Sequence, residues 1–354
     1  MTKPLDGKRV LITGGTGSLG KTLLRRLLKG DAGQPAKIVI LSRDEAKQYF
    51  LQLEYRSRGR DSEDIIYHRA SDLLEFRIGD VRDADTVAAA LRGIDVVFNA
   101  AALKQVPNCE YFPIEAVRTN VMGPANIVQA IRAHRLPVET VVGVSTDKAV
   151  KPVNVMGMTK ALQERVFAKA NLDAPDTRFV LVRYGNVLAS RGSAIPLFHE
   201  QIRKGGPVTI TDERMTRFLL SLDHAVNIIF AALAGARRGQ TYVPRAPSAR
   251  MVDVAKVLIG DRKIATKVIG VRPGEKIHEI LVSEDEARRT WRNGEYLVID
   301  PVLPELAGEP GGPVIGQEYS SGDEVIDLPS VAALLERHKL MFDDAAPAGN
   351  EVLR

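Results

Sequence analysis

Residues 13–20 read Thr13-Gly14-Gly15-Thr16-Gly17-Ser18-Leu19-Gly20, and they directly follow a β-branched segment at residues 9–13. The glycines at 14, 17 and 20 permit a tight turn, close approach of a pyrophosphate, and close packing of a helix on the strand. A helix that begins here directs free amide groups and its positive dipole end at a phosphate. The stretch therefore predicts a dinucleotide-binding turn with cofactor contacts from Thr13, Gly14 and residues 16–20, rather than a turn without a ligand.

Short β-branched segments alternate with helical stretches through the first half of the chain. Strands are predicted at Arg9–Thr13, Lys37–Leu41, Leu74–Ile78, Asp95–Asn99, Thr140–Ser145 and Arg178–Arg183. Helices are predicted between them, for example at Leu19–Lys29 and Asp85–Leu91. This order is typical of an α/β fold with a doubly wound parallel sheet, a Rossmann fold, in which ligands bind at the carboxyl ends of the strands.

The pattern changes after residue 184, where glycine and proline become frequent and a short strand is predicted at Val208–Ile210. We expect residues 1–184 to form the dinucleotide-binding domain and residues 185–342 a smaller C-terminal substrate-binding domain. Segments near 219–240 are expected to return to the first domain, so that the two interleave. Residues 343–354 are expected to form a flexible tail.

Composition and charge exclude several classes of protein. The chain has 354 residues, 45% of them hydrophobic, and no apolar run approaches the roughly 18 residues that span a bilayer. The net charge of +5 comes from scattered basic residues without a basic block, which disfavours a nucleic-acid partner. A single cysteine, Cys109, and the absence of a leader pattern predict a cytoplasmic protein. The scattered histidines, without a Cys-x-x-Cys pair, predict no metal site.

The glycine spacing, Gly-x-x-Gly-x-x-Gly, resembles that of the extended short-chain dehydrogenase/reductase superfamily. The resemblance implies a nicotinamide dinucleotide cofactor. It also implies that Asp80 and Val81, after the third strand, contact the adenine. By the same resemblance Ala100, Ala101 and Ala102, after the fourth strand, line the dinucleotide.

The residues after the second strand bear on the choice between NADP and NAD. An acid directly after this strand usually holds the ribose hydroxyls of NAD, but here Ser42 and Arg43 come first. Lys47 follows one helical turn later. A hydroxyl and two cations suit a 2′-phosphate, so we favour NADP over NAD. Asp44 remains a candidate for the ribose acid, although we expect it to cap the next helix.

A second group of reactive residues follows the fifth strand. Thr146, Asp147 and Lys148 come directly after it, at the expected ligand-binding edge. Met156 and Lys160 are four residues apart, on one helix face and about 6 Å apart along its axis. In the wider superfamily the position of Met156 holds a tyrosine that acts as a base. A thioether cannot accept a proton in this way, so the chain is either inactive or uses another base.

Four segments resemble the nucleotide-sugar dehydratases of polysaccharide biosynthesis, within a likeness that covers residues 6–300. They are Ala102-Leu103-Lys104-Gln105-Val106-Pro107, Ser145-Thr146-Asp147-Lys148-Ala149, Arg183-Tyr184-Gly185-Asn186-Val187 and Met215-Thr216-Arg217-Phe218. The resemblance is strongest to the inverting UDP-N-acetylglucosamine 4,6-dehydratases of capsule and O-antigen pathways. In that group a methionine commonly replaces the tyrosine, so Met156 is compatible with an active enzyme.

The resemblance implies a lyase that acts on a UDP-sugar. Such enzymes oxidise C4 of the sugar, eliminate water from C5 and C6, and return the hydride to C6. By resemblance Asp147 protonates the departing C6 hydroxyl, Lys148 removes the C5 hydrogen, and Thr146 binds the C4 oxygen; inversion at C5 is expected. We hypothesise that Lys160 is the cation that lowers the pKa of Lys148. Lys148, or Thr146 through a water, is the candidate acceptor of the C4 proton.

Substrate-binding residues are expected mainly from the second half of the chain. The candidates are Lys104, Thr146, Asn186, Arg191, Val208, Thr209, Arg217, Arg272 and Glu275. Arg217 and Arg272 are expected to clamp the diphosphate, because a guanidinium binds phosphate in bidentate fashion. Glu275 is expected to bind a ribose hydroxyl.

Two other functions stay open at this point. A nucleotide-sugar 4-epimerase shares the fold and the oxidation at C4, although the missing tyrosine and the Asp147–Lys148 pair count against it. A non-catalytic NADP-binding regulator would account for Met156 but would leave Lys160 and the arginines unexplained. Because relatives of this kind commonly form homo-oligomers, often hexamers, a homo-oligomer is expected.

Overall fold

The structure is a computed structural model that describes residues 3–61, 73–188 and 193–343, without the side chains of residues 56–61. Its strands are β1 (Arg9–Thr13), β2 (Lys37–Ser42), β3 (Leu74–Ile78), β4 (Val96–Asn99), β5 (Thr140–Thr146), β6 (Arg178–Tyr184), β7 (Asn186–Val187), β8 (Val208–Ile210), β9 (Thr216–Leu220), β10 (Thr241–Pro244), β11 (Ser248–Arg250), β12 (Thr266–Val268), β13 (Ile280–Val282), β14 (Thr290–Asn293), β15 (Tyr296–Ile299) and β16 (Tyr319–Ser320). The tail predicted at 343–354 lies outside the described residues, apart from Asp343.

The helices flank these strands. They are α1 (Ser18–Leu28), α2 (Glu45–Asp61), α3 (Ala84–Leu91), α4 (Val106–Tyr111), α5 (Pro113–Val117), α6 (Gly123–His134), α7 (Val155–Asp173), α8 (Ala194–Arg203), α9 (Leu222–Gly235), α10 (Met251–Ile259), α11 (Glu284–Ala287) and α12 (Leu328–Arg337). A π-helical turn at Arg118–Met122 precedes α6, and 3₁₀ turns lie at Asp147–Ala149 and Pro304–Leu306. In the parts of the chain that are described, no helix is long and apolar enough to cross a membrane.

One large sheet organises the molecule, in the strand order β14-β15-β10-β6-β5-β4-β1-β2-β3. The strands from β10 to β3 in this order are parallel, while β15 pairs antiparallel with both β10 and β14. The predicted doubly wound parallel sheet is therefore confirmed, with an antiparallel edge. All six strands predicted in the first half are present, to within one residue at their ends.

Apolar side chains on both faces of the sheet explain why these segments form buried parallel strands. Successive residues of β1 point to opposite faces, so Val10 and Ile12 join one apolar cluster and Leu11 joins another. The first cluster includes leucines of α1 and apolar residues of α9, and the second includes residues of α3, α6 and α7. Helices therefore cover both faces, which leaves the carboxyl ends of the strands as the edge open to ligands.

The chain after residue 184 contributes both to this sheet and to a separate apolar cluster. Strands β10, β14 and β15 extend the sheet beyond β6, and α9 packs on α1 and on β6. The separate cluster joins α8, α10 and α12 with β8. We still propose that these parts form a dinucleotide-binding domain and an interleaved substrate-binding domain.

A buried ion network connects the two parts. Arg183 on β6 donates to Glu164 on α7 at 2.6 Å and to Glu286 on α11 at 2.8 Å. Ser145 Oγ also donates to Glu164, at 2.5 Å. Removal of this guanidinium would leave Glu164 with the hydroxyl of Ser145 and Glu286 with Arg289 at 3.7 Å, so the network depends on Arg183.

Candidate active site

The glycine loop after β1 has the geometry of a phosphate cradle. Gly14 has φ +70°, and a Cβ at this position would lie 2.8 Å from the backbone of Ala101. A Cβ at Gly20 would lie 2.5 Å from the Cα of Gly15. Helix α1 begins at Ser18, and no side chain caps it at Gly17. The first amide groups of α1 can therefore bind a pyrophosphate that approaches the loop closely.

The predicted cofactor residues after β2 lie together beside this loop. Ser42 Oγ is 2.9 Å from Thr16 Oγ1, which joins the ends of the two segments. Asp44 accepts the backbone N–H of Lys47 at 3.0 Å and also pairs with the Lys47 amine, so Asp44 caps α2, as expected. Arg43 is exposed, and its guanidinium lies 3.9 Å from the carboxylate of Asp80. A hydroxyl and two cations, each close to a carboxylate, thus surround the end of β2.

Polar groups also meet between β1 and β4. Thr13 Oγ1 donates to Asn99 Oδ1 at 2.8 Å and accepts the backbone N–H of Ala101 at 3.3 Å. These bonds fix the segment that contains Ala100 and Ala102 against the glycine loop. Val81 is buried after β3. The residues predicted to line the dinucleotide therefore follow adjacent strands of the sheet.

Three successive strand ends carry buried polar atoms that have no hydrogen-bond partner among the described residues. They are Asn99 Nδ2 at the end of β4, Asp147 Oδ2 after β5 and Asn186 Oδ1 after β6. A buried polar atom without a partner costs about 1–3 kcal/mol, so each of these atoms calls for a polar partner such as water or a ligand. The carboxyl edge of the sheet is where the fold predicts that ligand.

The reactive residues predicted after β5 lie in contact. Asp147 and Lys148 occupy the 3₁₀ turn that ends β5; Asp147 is fully buried. Lys148 Nζ donates to Asp147 Oδ1 at 3.1 Å, and Thr146 Oγ1 donates to the same oxygen at 2.7 Å. Burial raises the pKa of Asp147, and it outweighs the opposing effect of Lys148. Asp147 is thus suited to hold a proton and to release it.

The environment of Lys148 differs from our expectation. Burial by itself lowers the pKa of this amine, but the carboxylates of Asp147 and Glu279 outweigh burial and hold the pKa above its usual range. The cation with the largest lowering effect is Arg217, not Lys160. In the ligand-free protein Lys148 is therefore an ammonium ion, and its use as a base requires a prior loss of its proton.

Lys160 and Met156 lie on the first turns of α7, where Asn154 caps the helix by accepting the N–H of Gly157 at 2.7 Å. The buried Lys160 Nζ donates to the carbonyl of Val144 at 2.6 Å, and burial lowers the pKa of Lys160 to about 7. Met156 is buried in a small apolar cluster with residues of α4 and α5. The side chain of Met156 therefore makes apolar packing contacts.

The predicted substrate residues fall into distinct positions. Arg217 on β9 is buried, and its Nη1 donates to the carbonyls of Thr216 at 2.7 Å and Ile277 at 3.2 Å. Arg272 is exposed, and Glu275 has a buried carboxylate oxygen, Oε2, without a partner in the described chain.

The remaining substrate candidates lie apart in the fold. Lys104 is exposed after β4. Val208 and Thr209 lie on β8, which pairs with β12. Arg191 lies outside the described residues.

Two charged residues beside Lys148 were missed by the sequence analysis. Glu279 Oε1 lies 3.1 Å from Lys148 Nζ, and Lys276 donates to the carbonyl of Val150. Both come from a segment more than 120 residues further along the chain, so no local spacing connects them to the site. The available signal was an acid directly before the apolar strand Ile280–Val282, where a buried charge needs a partner.

The comparison with families of known sequence agrees with this geometry. A family described as polysaccharide biosynthesis protein matches residues 10–301. The chain belongs to this family. Its Rossmann fold is shared by the crystal structure of DesIV, a dTDP-glucose 4,6-dehydratase from Streptomyces venezuelae with NAD bound. DesIV superposes with a TM-score of 0.64 at 23% identity, over 76% of this chain and 86% of DesIV.

Curated relatives of this chain have two kinds of name. The inverting UDP-N-acetylglucosamine 4,6-dehydratase of Campylobacter jejuni is 39% identical over 301 residues, which cover 84% of each chain. A UDP-glucose 4-epimerase of Rickettsia canadensis is 44% identical over 294 residues, which cover 82% of each. The protein is thus an enzyme of the nucleotide-sugar dehydratase and epimerase group, and the names of its relatives do not distinguish these two reactions.

A solved structure covers nearly the whole chain. The X-ray structure of Pen from Bacillus thuringiensis superposes with a TM-score of 0.84 at 33% identity. The match covers 95% of this chain and 99% of Pen. The part of the chain after residue 184 is therefore included in the likeness, along with the Rossmann sheet.

Proposed function

We propose that this protein is an NADP-dependent dehydratase of UDP-N-acetylglucosamine. Its product is a UDP-2-acetamido-2,6-dideoxy-hexos-4-ulose, inverted at C5 to the L-arabino form, for surface polysaccharides such as capsule or O-antigen. The observation that carries the proposal is the contact between buried Asp147 and half-buried Lys148, with 3.1 Å between Oδ1 and Nζ. Loss of water from adjacent carbons needs an acid and a base close together, which this pair supplies. We also propose that the enzyme is a cytoplasmic homo-oligomer.

The residues around the glycine loop fit a dinucleotide. The uncapped start of α1 and the close approach at Gly14 would hold the pyrophosphate, and Arg43 and Lys47 beside Ser42 would hold a 2′-phosphate. NADP, when bound, accepts the hydride from sugar C4 and supplies it to C6. Lys160, buried next to the end of β5, is the residue we assign to the nicotinamide ribose.

The acid and the base arise together from the ion pair. Desolvation is the largest influence on Asp147 and on Lys148, and it disfavours the charged form of each. Transfer of one proton from Lys148 Nζ to Asp147 gives a neutral amine and a neutral acid. Lys148 then removes the C5 proton while Asp147 protonates the departing C6 hydroxyl, so both residues return to their charged forms.

The C4 hydroxyl loses its proton without a tyrosine. Met156 packs in an apolar cluster and has no proton-accepting group. We assign the C4 oxygen to Thr146, whose hydroxyl is 2.7 Å from Asp147. Lys148, or Thr146 through a water, accepts this proton and releases it to solvent before Lys148 acts at C5. A solvent proton later returns to C5, so the protons balance.

Binding of the UDP part is assigned to the second half of the chain. Arg217 and Arg272 would clamp the diphosphate. Glu275 and Asn186 each have a buried oxygen without a hydrogen-bond donor among the described residues, which hydroxyl groups of the substrate could supply. Lys104 after β4 would contact the sugar. The strand with Val208 and Thr209 would flank the uracil, and Arg191, outside the described residues, stays a predicted substrate contact.

The test is incubation of the purified protein with UDP-N-acetylglucosamine and NADP, followed by mass spectrometry and proton NMR in heavy water. Loss of one water, deuterium at C5 and L-arabino couplings support the proposal. Because a relative 44% identical carries an epimerase name, the second candidate is a 4-epimerase. Its signature is an unchanged mass with a galacto product. NADP binding without turnover of this sugar contradicts both.

A further inference from the structure

Glu279 is a buried carboxylate with a rigidly held backbone. Its N–H donates to Ser321 Oγ at 2.9 Å, and its carbonyl accepts the N–H of Ser321 at 2.8 Å. Ser321 is itself fully buried and lies 2.7 Å from the hydroxyl of Thr216 on β9. The side chain of Glu279 therefore starts from a fixed point beside the reaction centre.

The Glu279 carboxylate contacts both proposed ends of the substrate site. Oε1 lies 3.1 Å from Lys148 Nζ and 3.7 Å from Arg217 Nε. Oε2 is buried without a hydrogen-bond partner in the described residues. A carboxylate with 3% side-chain exposure is retained in ionised form only because cations face it.

The charges on the neighbouring groups determine whether Glu279 raises or lowers their pKa. Asp147, Lys148, Arg217 and Lys276 face it, and the neighbouring His278 bonds Thr216 instead. Attraction between Glu279 and Lys148 favours the ammonium form, while repulsion between Glu279 and Asp147 favours the protonated acid. Glu279 therefore raises the pKa of both members of the pair.

We propose that Glu279 is a positioning residue, which holds Lys148 Nζ against Asp147 and keeps one shared proton on that pair until the sugar binds. This role rests on the proposed function, because it concerns the acid and base of the elimination. Through Glu279, the C-terminal half of the chain thus acts on the acid and base at the end of β5. Without the carboxylate, the pair loses its shared proton at a lower pH.

The test is the pH profile of kcat/KM for Glu279→Gln. The variant keeps the shape of the side chain and removes its charge. Both limbs of the profile are expected to move to lower pH by about one unit or more, since a charge within ~4 Å shifts a pKa by this amount. A residue with a structural role alone lowers the rate at every pH and leaves the limbs where they are, and that result overturns the proposal.

Two control variants distinguish an effect of the Glu279 charge from an effect on folding. Glu279→Asp keeps the charge on a shorter side chain, so its limbs are expected at the wild-type pH even if its rate is lower. Glu284→Gln removes a 75%-exposed carboxylate from the same part of the chain and is expected to leave the profile unchanged. Displaced limbs in either control contradict the assignment to Glu279.

A second measurement does not depend on turnover. NMR titration of ¹⁵N-labelled lysine amines reports the pKa of Lys148, with the signal assigned by its loss in Lys148→Arg. A lower pKa in Glu279→Gln than in the wild type supports the inference, and an equal pKa overturns it. Absence of dehydration by the wild-type enzyme refutes the proposed function instead, so the two failures are distinguishable.

Discussion

The glycine loop allows a prediction with an internal control, because two glycines have nearly the same backbone angle in different surroundings. Gly14 has φ +70° and Gly7 has φ +71°, a region that costs an alanine about 1–2 kcal/mol. A Cβ at Gly7 meets nothing within 4 Å, whereas one at Gly14 meets the backbone of Ala101 at 2.8 Å. In Gly7→Ala the free energy of unfolding is therefore expected to fall only by the cost of this backbone conformation. In Gly14→Ala it is expected to fall by about 1–3 kcal/mol more, because the new Cβ clashes with Ala101.

Urea unfolding of both variants measures this difference, and calorimetric titration with NADP measures its consequence. A displaced loop moves the amide groups of α1, so Gly14→Ala is expected to bind NADP at least tenfold more weakly, about 1.4 kcal/mol. Gly7→Ala, outside the loop, is expected to bind it as the wild type does. If both variants lost the same stability and kept their NADP affinity, the close approach of Ala101 would not be the reason for a glycine at position 14.

Three further variants probe the site and its support. Asp147→Asn is expected to lower kcat about 10²–10⁴-fold, measured as product formation, and a wild-type rate would remove Asp147 from the role of acid. Lys160 has a pKa lowered to about 7 by burial, so the unfolded chain binds its proton more tightly. The free energy of unfolding should therefore rise with pH between about 7 and 10 relative to Lys160→Met, and parallel pH curves would contradict this. Arg183→Met is expected to cost about 3–5 kcal/mol in urea unfolding, because Glu164 and Glu286 lose their shared cation; a loss below about 1 kcal/mol would show that the carboxylates find other partners.

The first half of the fold was predictable because its signals are local. A β-branched strand, a glycine turn and a helix occupy adjacent positions, and a central parallel strand is apolar on both faces wherever it lies in the chain. The contact between Asp147 and Lys148 follows in the same way, since both residues come directly after β5. The position of β10 beside β6, by contrast, depends on a pairing between distant segments.

The electrostatics of the site was not predictable from spacing. Glu279 and Arg217 reach Lys148 through the tertiary fold; Glu279 adds to the effect of Asp147 in raising the pKa of Lys148, and Arg217 opposes it. Lys160 was expected to act on Lys148, but its amine is directed to the carbonyl of Val144. A hydrogen bond to a backbone carbonyl carries no sequence signature, because every residue has that group.

The route of the chain through the sheet limits how related enzymes can exchange parts. A chimera joined at residue 184 would take β10, β14 and β15 from one parent and the strand they extend from another. It would also combine Arg183 from one parent with Glu286 from the other, inside the core. Specificity for a new nucleotide is therefore best transferred in shorter segments, such as the proposed UDP-binding region from β8 to β9, that leave the edge of the sheet to its original parent.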